Sequence, residues 1–499
     1  MPITTCNKAF IGIAALAVKV SAFWRLPCSS PVVVERADPI VWPGQVSTHA
    51  HTIMGSNAFN FTMSYDLTQT ATCSTCKPRE DRSSYWVPNL YYHAENGSFI
   101  PVKQSGGALI YYLYGTLFPS PLPVSRKLTH SYTSQRTDPK DPNPEEGLIA
   151  FPKGFRMLAG DPMLRNYSDV PAQRAVSFVC LGVEGPATPD LPRQNCPNGL
   201  RAQLSFPSCW DGRNLDAPDH RSHMAYPSGV DTGYCPPTHP RRFISIFYEV
   251  TWSVDDFKDM WYGGGGDKQQ QQPFVFSNGD PTGYGYHADF INGWELGALQ
   301  RAIDECTDDS GVIERCGALT LRSDEEMAAC RVLPRVDEPV AGGGVLAALP
   351  GCNPVQPGPE PAVLQEQEHC GAPTEIGDPV LPFTDVARRL GWRYVACARD
   401  PAGQSRTLDG FGADEGDMTV DACVALCDGK GFRYAGVEWS HQCFCGNEVA
   451  GDRMPANGTT GDCSMPCAGD AKQFCGGSAE VSVYTKCTDA DCTNEGVPR

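Results

Sequence analysis

Phe243-Ile244-Ser245-Ile246-Phe247-Tyr248-Glu249-Val250-Thr251-Trp252 decides the fold class of the larger part of this chain. Ile244, Ile246, Tyr248, Val250 and Trp252 recur at every second residue, so five apolar side chains share one face of a strand and Glu249 lies on the other. Alternation of this kind marks a sheet with one face on a core and the other toward water. Outward from it, Ala202, Leu204 and Phe206 share a face before Pro207. Residues 108–117 and 175–181 are continuous apolar or aromatic runs, suited to strands buried on both sides. One helix is expected over residues 293–306, with Leu296, Leu299, Ala302, Ile303 and Cys306 as its apolar stripe, Asn292 as N-cap and Glu295 three residues on. Many strands and few helices give a β-rich chain whose N-terminal domain is β-sandwich- or jelly-roll-like.

Composition narrows the function classes. The chain has 499 residues, room for two or three domains. Its 58 Asp and Glu against 40 Lys and Arg leave a formal charge of -18, which argues against nucleic acid and against anionic membrane surfaces as partners. A neutral polymer is indifferent to that charge. Lys8, the apolar run 9–18 and the small residues Val20-Ser21-Ala22 read as an export signal over 1–22, with Phe23 as the mature terminus. Without Cys6 the 23 cysteines become an even 22, which fits an oxidising compartment. Asn60, Asn96, Asn166 and Asn457 begin N-glycosylation sequons. The tail 486–499 is polar, so neither a transmembrane nor a lipid-type anchor is expected.

Three regions follow: 23–352, aromatic-rich and strand-like; 353–390, rich in Pro, Gly and Glu and read as a linker; and 391–485, dense in cysteine. The glycine- and glutamine-rich stretch 263–272 reads as a loop. In the last region Cys397, Cys423, Cys427, Cys443, Cys445, Cys463, Cys467 and Cys475 form a framework that would staple a module too small to fold on burial alone, as a disulfide-rich α+β domain. Thr419 can cap a short helix that places Cys423 and Cys427 on one face. Zinc is the rival use of these close cysteine pairs, and export disfavours it. Connectivity is open.

This region resembles the WSC domain: Cys397, Arg406-Thr407-Leu408, Met418-Thr419, the stretch GFRYAGVEWSHQCFCGN (431–447), Cys463-Ser464-Met465-Pro466-Cys467 and Phe474-Cys475-Gly476-Gly477 all match. The resemblance implies binding of glucan- or xylan-type wall polysaccharide. Sugar faces need exposed aromatic rings beside hydrogen-bonding groups, so Tyr434, Trp439, His441 and Asn447 are the candidate carbohydrate contacts. A small domain also needs aromatics inside, so Tyr434 and Trp439 are equally suited to its core.

Residues 23–306 resemble the fungal domain of unknown function nineteen ninety-six, which often precedes WSC domains. The match runs through Phe23-Trp24-Arg25, Ser47-Thr48-His49-Ala50-His51, Asp219-His220-Arg221-Ser222-His223 and Tyr286-His287-Ala288-Asp289. It implies no activity. The residues themselves suggest one. His49 and His51, and His287 and Asp289, are two apart and would project from one strand face. His49, His51, His223 and His287 are the candidate ligands of a divalent metal, the cofactor this donor set suits. His223, His287, Asp289 and Glu249 are the candidate acid/base groups, two carboxylates being what a glycosidase needs. A copper brace on an N-terminal histidine is disfavoured, because the expected mature terminus is Phe23.

The sequence therefore reads as a secreted, polysaccharide-associated protein. Its first domain is either a glycan-degrading enzyme, metal-assisted or carboxylate-dependent, or a non-catalytic wall or adhesion unit. Convergence of the four histidines with Asp289 would favour the enzyme.

Overall fold

The computed structural model describes residues 23–113, 138–262, 272–308, 310–341, 344–364, 371–381, 383–401, 405–451, 453–454, 463, 465–488 and 492–494. The expected export signal, Asn457, all but the last residue of the 263–272 stretch and residues 114–117 of the first apolar run fall outside them.

The alternating stretch forms the strand Ser245–Trp252, central in a five-stranded antiparallel sheet with Gln104–Leu113, Phe23–Cys28, Leu200–Ser205 and Val176–Cys180. Register aligns its apolar face: Ile246 and Trp24 both sit opposite Tyr112, and Leu204 opposite Tyr248. A second five-stranded sheet is ordered Val33–Glu35, His51–Gly55, Ser84–Pro88, His287–Ile291, Arg156–Gly160. Its inward residues Met54, Tyr85, Val87, Met157, Ala288 and Phe290 join Trp24, Ile110, Tyr248 and Trp252 in one continuous core. The domain is a sandwich, with the buried layer between two sheets.

The second sheet is covered on its outer face as well. Ile53, Trp86 and Ile291 pack there against Ile40, Phe59, Phe61 and Val336. Both of its faces are therefore dry, and every residue of its three central strands is buried.

The expected helix is shorter than its pattern. It spans Ala298–Glu305 and begins after Gly297, whose φ of +77° no helix accommodates. Leu296, expected in the apolar stripe, is instead 72% exposed. The strand at Val176–Cys180 is buried fully on one face only, its Ser177 and Val179 being half-buried.

The proline-rich segment is not a free linker along its described length. Gln356 N–H donates to Gly279 O at 2.9 Å, Ala362 N–H to Met163 O at 2.7 Å, and the buried Arg165 donates to Gln356 O at 2.8 Å. At its other end Phe383 stacks on Tyr394 at 4.0 Å, inside the core of the C-terminal module. Composition alone flags such a strap as linker because it has no ladder; its backbone groups find partners on neighbouring elements instead.

That module is a five-stranded antiparallel sheet, ordered Trp392–Arg399, Glu480–Lys486, Tyr434–Glu438, Gln442–Gly446, Phe411–Asp414, with the helix Val420–Gly429 against it. Thr419 caps the helix through Ala422 N–H at 3.0 Å. Its eight framework cysteines pair as Cys397–Cys463, Cys423–Cys443, Cys427–Cys445 and Cys467–Cys475. All four pairs are closed as disulfides, which removes zinc as their use.

Candidate functional site

Three of the four candidate metal-ligating histidines meet on the outer face of the second sheet. His51 pairs with Pro88, and Asp289 with Trp86 on the next strand. His287, two residues before Asp289, is thus level with His51 across the sheet and on the same face. His49 lies in the turn leading into the strand His51–Gly55, its ring 4.3 Å from that of His51. One ring nitrogen from each of His49, His51 and His287 lies within 4.8 Å of the others, and all three residues are buried. His49 Nε2 and His287 Nε2 are 3.0 Å apart.

The hydrogen bonds fix which nitrogens face inward. His51 Nδ1 sits 3.1 Å from Ala37 O, and His287 Nδ1 3.0 Å from Gly285 O. A carbonyl only accepts, so each Nδ1 carries the proton and each Nε2 presents a lone pair. Burial holds His49 and His51 well below the usual imidazole range and lowers His287 to about 4, so all three are neutral near pH 7. Burial also lifts Asp289 well above an ordinary carboxyl, with the charge of Asp38 adding to the rise. Asp38 itself is pushed up to about 6 by burial, while its Oδ1 accepts from the amides of Ile40 and Val41.

Gly160, opposite His287, permits the close approach of their strands. Its φ is +81°, and a Cβ there would lie 2.8 Å from His287 Cα. A cavity of about 390 Å³ runs along this sheet edge, with Gly160, Asp161, Arg221 and Tyr284 among its walls. Arg221 and Asp161 pair at 3.1 Å and both act electrostatically on His287.

His223 does not join the cluster. Its Nε2 is 2.9 Å from Arg156 O, and Arg156 pairs with Ile291, four residues along the strand from His287. That is roughly 13 Å at the rise of a strand. Glu249 is displaced further. It lies on the outer face of the other sheet, held by Tyr111 Oη at 2.9 Å, Gln203 Nε2 at 2.7 Å and Arg201 at 3.3 Å. The sandwich core separates it from Asp289, so the two do not form the carboxylate pair of a glycosidase.

In the C-terminal module the four candidate sugar contacts divide between two ends of one hairpin. Tyr434 and Asn447 sit at the end where Tyr434 pairs with Gly446. Tyr434 is half-buried against the cluster of Ala398, Val481 and Val483, and Asn447 Oδ1 accepts from Arg433 N–H at 3.1 Å. Trp439 and His441 are at the turn, about 16 Å away at strand rise. There Trp439 is 45% exposed. Trp439 and Ser440 both adopt left-handed backbone, at φ +50° and +65°, a conformation that costs a non-glycine residue about 1–2 kcal/mol. Ser440 N–H donates to Cys475 O at 3.1 Å, and Ala468 N–H to Ser440 O at 2.9 Å. The adjoining disulfide Cys467–Cys475 holds that partner segment. His441 Nδ1 is 2.7 Å from Asp414, and Gln442 Nε2 donates to the same carboxylate at 3.3 Å. The turn thus presents an apolar indole face beside a rigid set of polar groups.

A family model described as Domain of unknown function (DUF1996) matches residues 38–294, just over half of the chain. The chain belongs to the DUF1996 family. A WSC domain model matches residues 394–477. Among curated proteins, the chain is 35% identical over 116 residues to a WSC domain-containing protein of Arthroderma benhamiae, covering 23% of this chain and 12% of that protein. It is 34% identical over 124 residues to a protein of Chaetomium globosum described as a putative fungistatic metabolite, covering 23% and 55%. It is 36% identical over 94 residues to human Kremen protein 2, covering 18% and 19%. The chain thus spans from about an eighth to just over half of the length of these relatives.

The WSC motif Arg406-Thr407 acquires a physical reason. Arg406 reaches both Asp400 at 2.8 Å and the buried Glu438 at 2.9 Å, and Asp400 accepts from Thr407 N–H at 2.8 Å. Burial, together with the neighbouring Asp400, pushes Glu438 up to about 8. A carboxyl raised in this way holds its proton in the folded state after the unfolded chain has lost it. Its stabilising contribution is complete below about pH 4.5 and is lost as pH rises through 8. Glu438→Gln should flatten this fall, measured as the difference in urea midpoint of the WSC transition between pH 5 and pH 8.5. An unchanged difference would show that Glu438 is already ionised at pH 5.

Sequence reading did not single out Asp414, Asp400 or Glu438 as part of the WSC site. Their partners are 27, 6 and 32 residues away in sequence, and no local spacing announces them.

Proposed function

We propose that this DUF1996 protein is exported and associates with wall polysaccharide, gripping the polymer through the turn of its WSC domain that carries Trp439. The observation that carries the reading is the Trp439 indole, nearly half exposed on a backbone that costs energy to hold. Strained, exposed aromatics concentrate at binding sites, and a pyranose ring packs its C–H face on such an indole while Asp414, His441 and Gln442 supply hydrogen bonds at its rim. A neutral glucan or xylan is compatible with the acidic chain. Export is supported by ten disulfides joining described cysteines, which need an oxidising compartment. The sequons at Asn60, Asn96 and Asn166 are exposed, as attached glycans require. No helix of the described residues is long and apolar enough to cross a membrane. Attachment through the WSC domain would hold the sandwich at high local concentration on the same polymer.

Retention of the full chain on insoluble β-glucan, xylan and chitin tests this. Wild type should be retained on at least one polymer, and Trp439→Ala should weaken retention at least about tenfold, a loss of about 1.4 kcal/mol. Tyr434→Ala, at the other end of the hairpin, should change it by less than about twofold, roughly 0.4 kcal/mol. Failure of wild type to bind any of the three, or equal retention of Trp439→Ala, would defeat the proposal.

A further inference from the structure

We propose that His49, His51 and His287 together hold one first-row transition-metal dication of the zinc or copper type, with Asp289 the carboxylate two residues along the strand from His287. The site stands apart from the glycan-binding reading and would survive its failure.

The first support is geometry. Three ring nitrogens within 4.8 Å of one another approach the separation of roughly 3.4 Å that tetrahedral ligation at 2.0–2.1 Å imposes. His49 Nε2 and His287 Nε2, 3.0 Å apart, are already near that spacing. The second is the outer hydrogen bonding. Metal-bound imidazoles characteristically donate their other N–H to a carbonyl or carboxylate, as His51 does to Ala37 O and His287 to Gly285 O.

The third support is what a metal-free hydrogen-bond network leaves undone. His49 Nε2–H can donate to His287 Nε2 at 3.0 Å, and His49 Nδ1 can accept from Thr48 Oγ1 at 3.1 Å. That network satisfies two of the rings. It leaves His51 Nε2 and both oxygens of Asp289 buried with no hydrogen-bond partner among the described residues. Asp289 is fully buried, on the face of the sheet that carries the histidines. A buried carboxylate and an imidazole lone pair left without partners on one sheet face call for a ligand such as an ion or water. A single dication uses the lone pair of His51 and adds positive charge to the sheet face on which Asp289 follows His287 by two residues.

The donors select the metal class. Neutral imidazole nitrogens suit zinc and copper, whereas calcium and magnesium take oxygen ligands. Three histidines leave a coordination position for water or a further ligand.

The test uses the full secreted chain, stripped with a chelator and checked for native near-ultraviolet circular dichroism. Titration with Co²⁺ should produce the intense visible band of a tetrahedral nitrogen-ligated ion, saturating at one equivalent, and Zn²⁺ should displace it. Elemental analysis after loading with Zn²⁺ alone or Cu²⁺ alone should give one ion per chain. His51→Ala and His287→Ala should weaken binding at least tenfold, while His223→Ala and His239→Ala retain one equivalent. Folded wild type that takes up none of these ions, or takes them up without the band, overturns the site. So does full occupancy in His51→Ala. If the histidine variants fail to fold, the wild-type spectrum and stoichiometry decide the question alone.

Discussion

Trp86→Ala should leave the sandwich domain largely unfolded at 37 °C. Trp86 sits at the middle of Ser84–Pro88, the central strand of the second sheet, and is fully buried. It stands between Ile53 and Asp289 in the register and meets Phe59 edge-on at 5.7 Å. Its cluster includes Val33, Ile40, Phe61 and Ile291, all drawn from different segments. Truncation opens a cavity among these packed side chains, at a cost of about 3–5 kcal/mol. Typical domains have only about 5–15 kcal/mol in total. Urea denaturation followed by near-ultraviolet circular dichroism should show that loss, and Trp86→Phe should recover more than half of it. A shift below about 1 kcal/mol would mean that the outer layer does not pack on the sheet as described.

Removing both clips between the WSC helix and its hairpin should abolish folding of that domain. Cys423–Cys443 and Cys427–Cys445 close loops of 20 and 18 residues, and each constrains the unfolded chain by about 3 kcal/mol in the loop-entropy model. Their sulfurs are also part of the core, beside Val420, Val424, Ala435 and Val437. Without the clips only these apolar contacts would hold the helix to the hairpin. With all four cysteines changed to alanine in the full chain, limited proteolysis should digest residues 391–485 while leaving the sandwich intact. Replacing one pair should leave a folded domain with a lowered urea midpoint. Protease resistance of the quadruple variant would show that the sheet folds without its clips.

The two domains were unequally legible in sequence, for physical reasons. Ser245–Trp252 declares itself because only one of its faces is fully buried, so apolar and polar residues alternate. The strands His51–Gly55 and His287–Ile291 do not, since the second sheet is buried on both faces and one of those faces carries histidine and aspartate. Polarity in them follows the site and not the solvent. His287 and Asp289 share a face of one strand, as their spacing implies, whereas His49 lies in the turn before the strand that begins at His51. Nothing local says that a residue 238 positions away closes the cluster. His223 stays outside the cluster because it contacts Arg156, opposite Ile291 and four residues along the strand from His287. Gly297 shortened the helix because a glycine in left-handed backbone ends periodicity that apolar spacing alone would continue. In the WSC region the sequence identifies the eight cysteines of the framework but not their pairing, which only the fold supplies. The hairpin that separates Tyr434 from Trp439 was not legible, because five residues of extended chain span far more than five residues of loop suggest.

The chain contains nine tryptophans, and the indole N–H resonance of each can be followed by nuclear magnetic resonance, with Trp439→Phe assigning the one of interest. Titration with a soluble oligosaccharide of whichever polymer retains the protein should shift the Trp439 signal in step with saturation, with the buried indoles of Trp24, Trp86, Trp252 and Trp392 unmoved. A Trp439 signal that stays in place while the sugar binds would contradict the account.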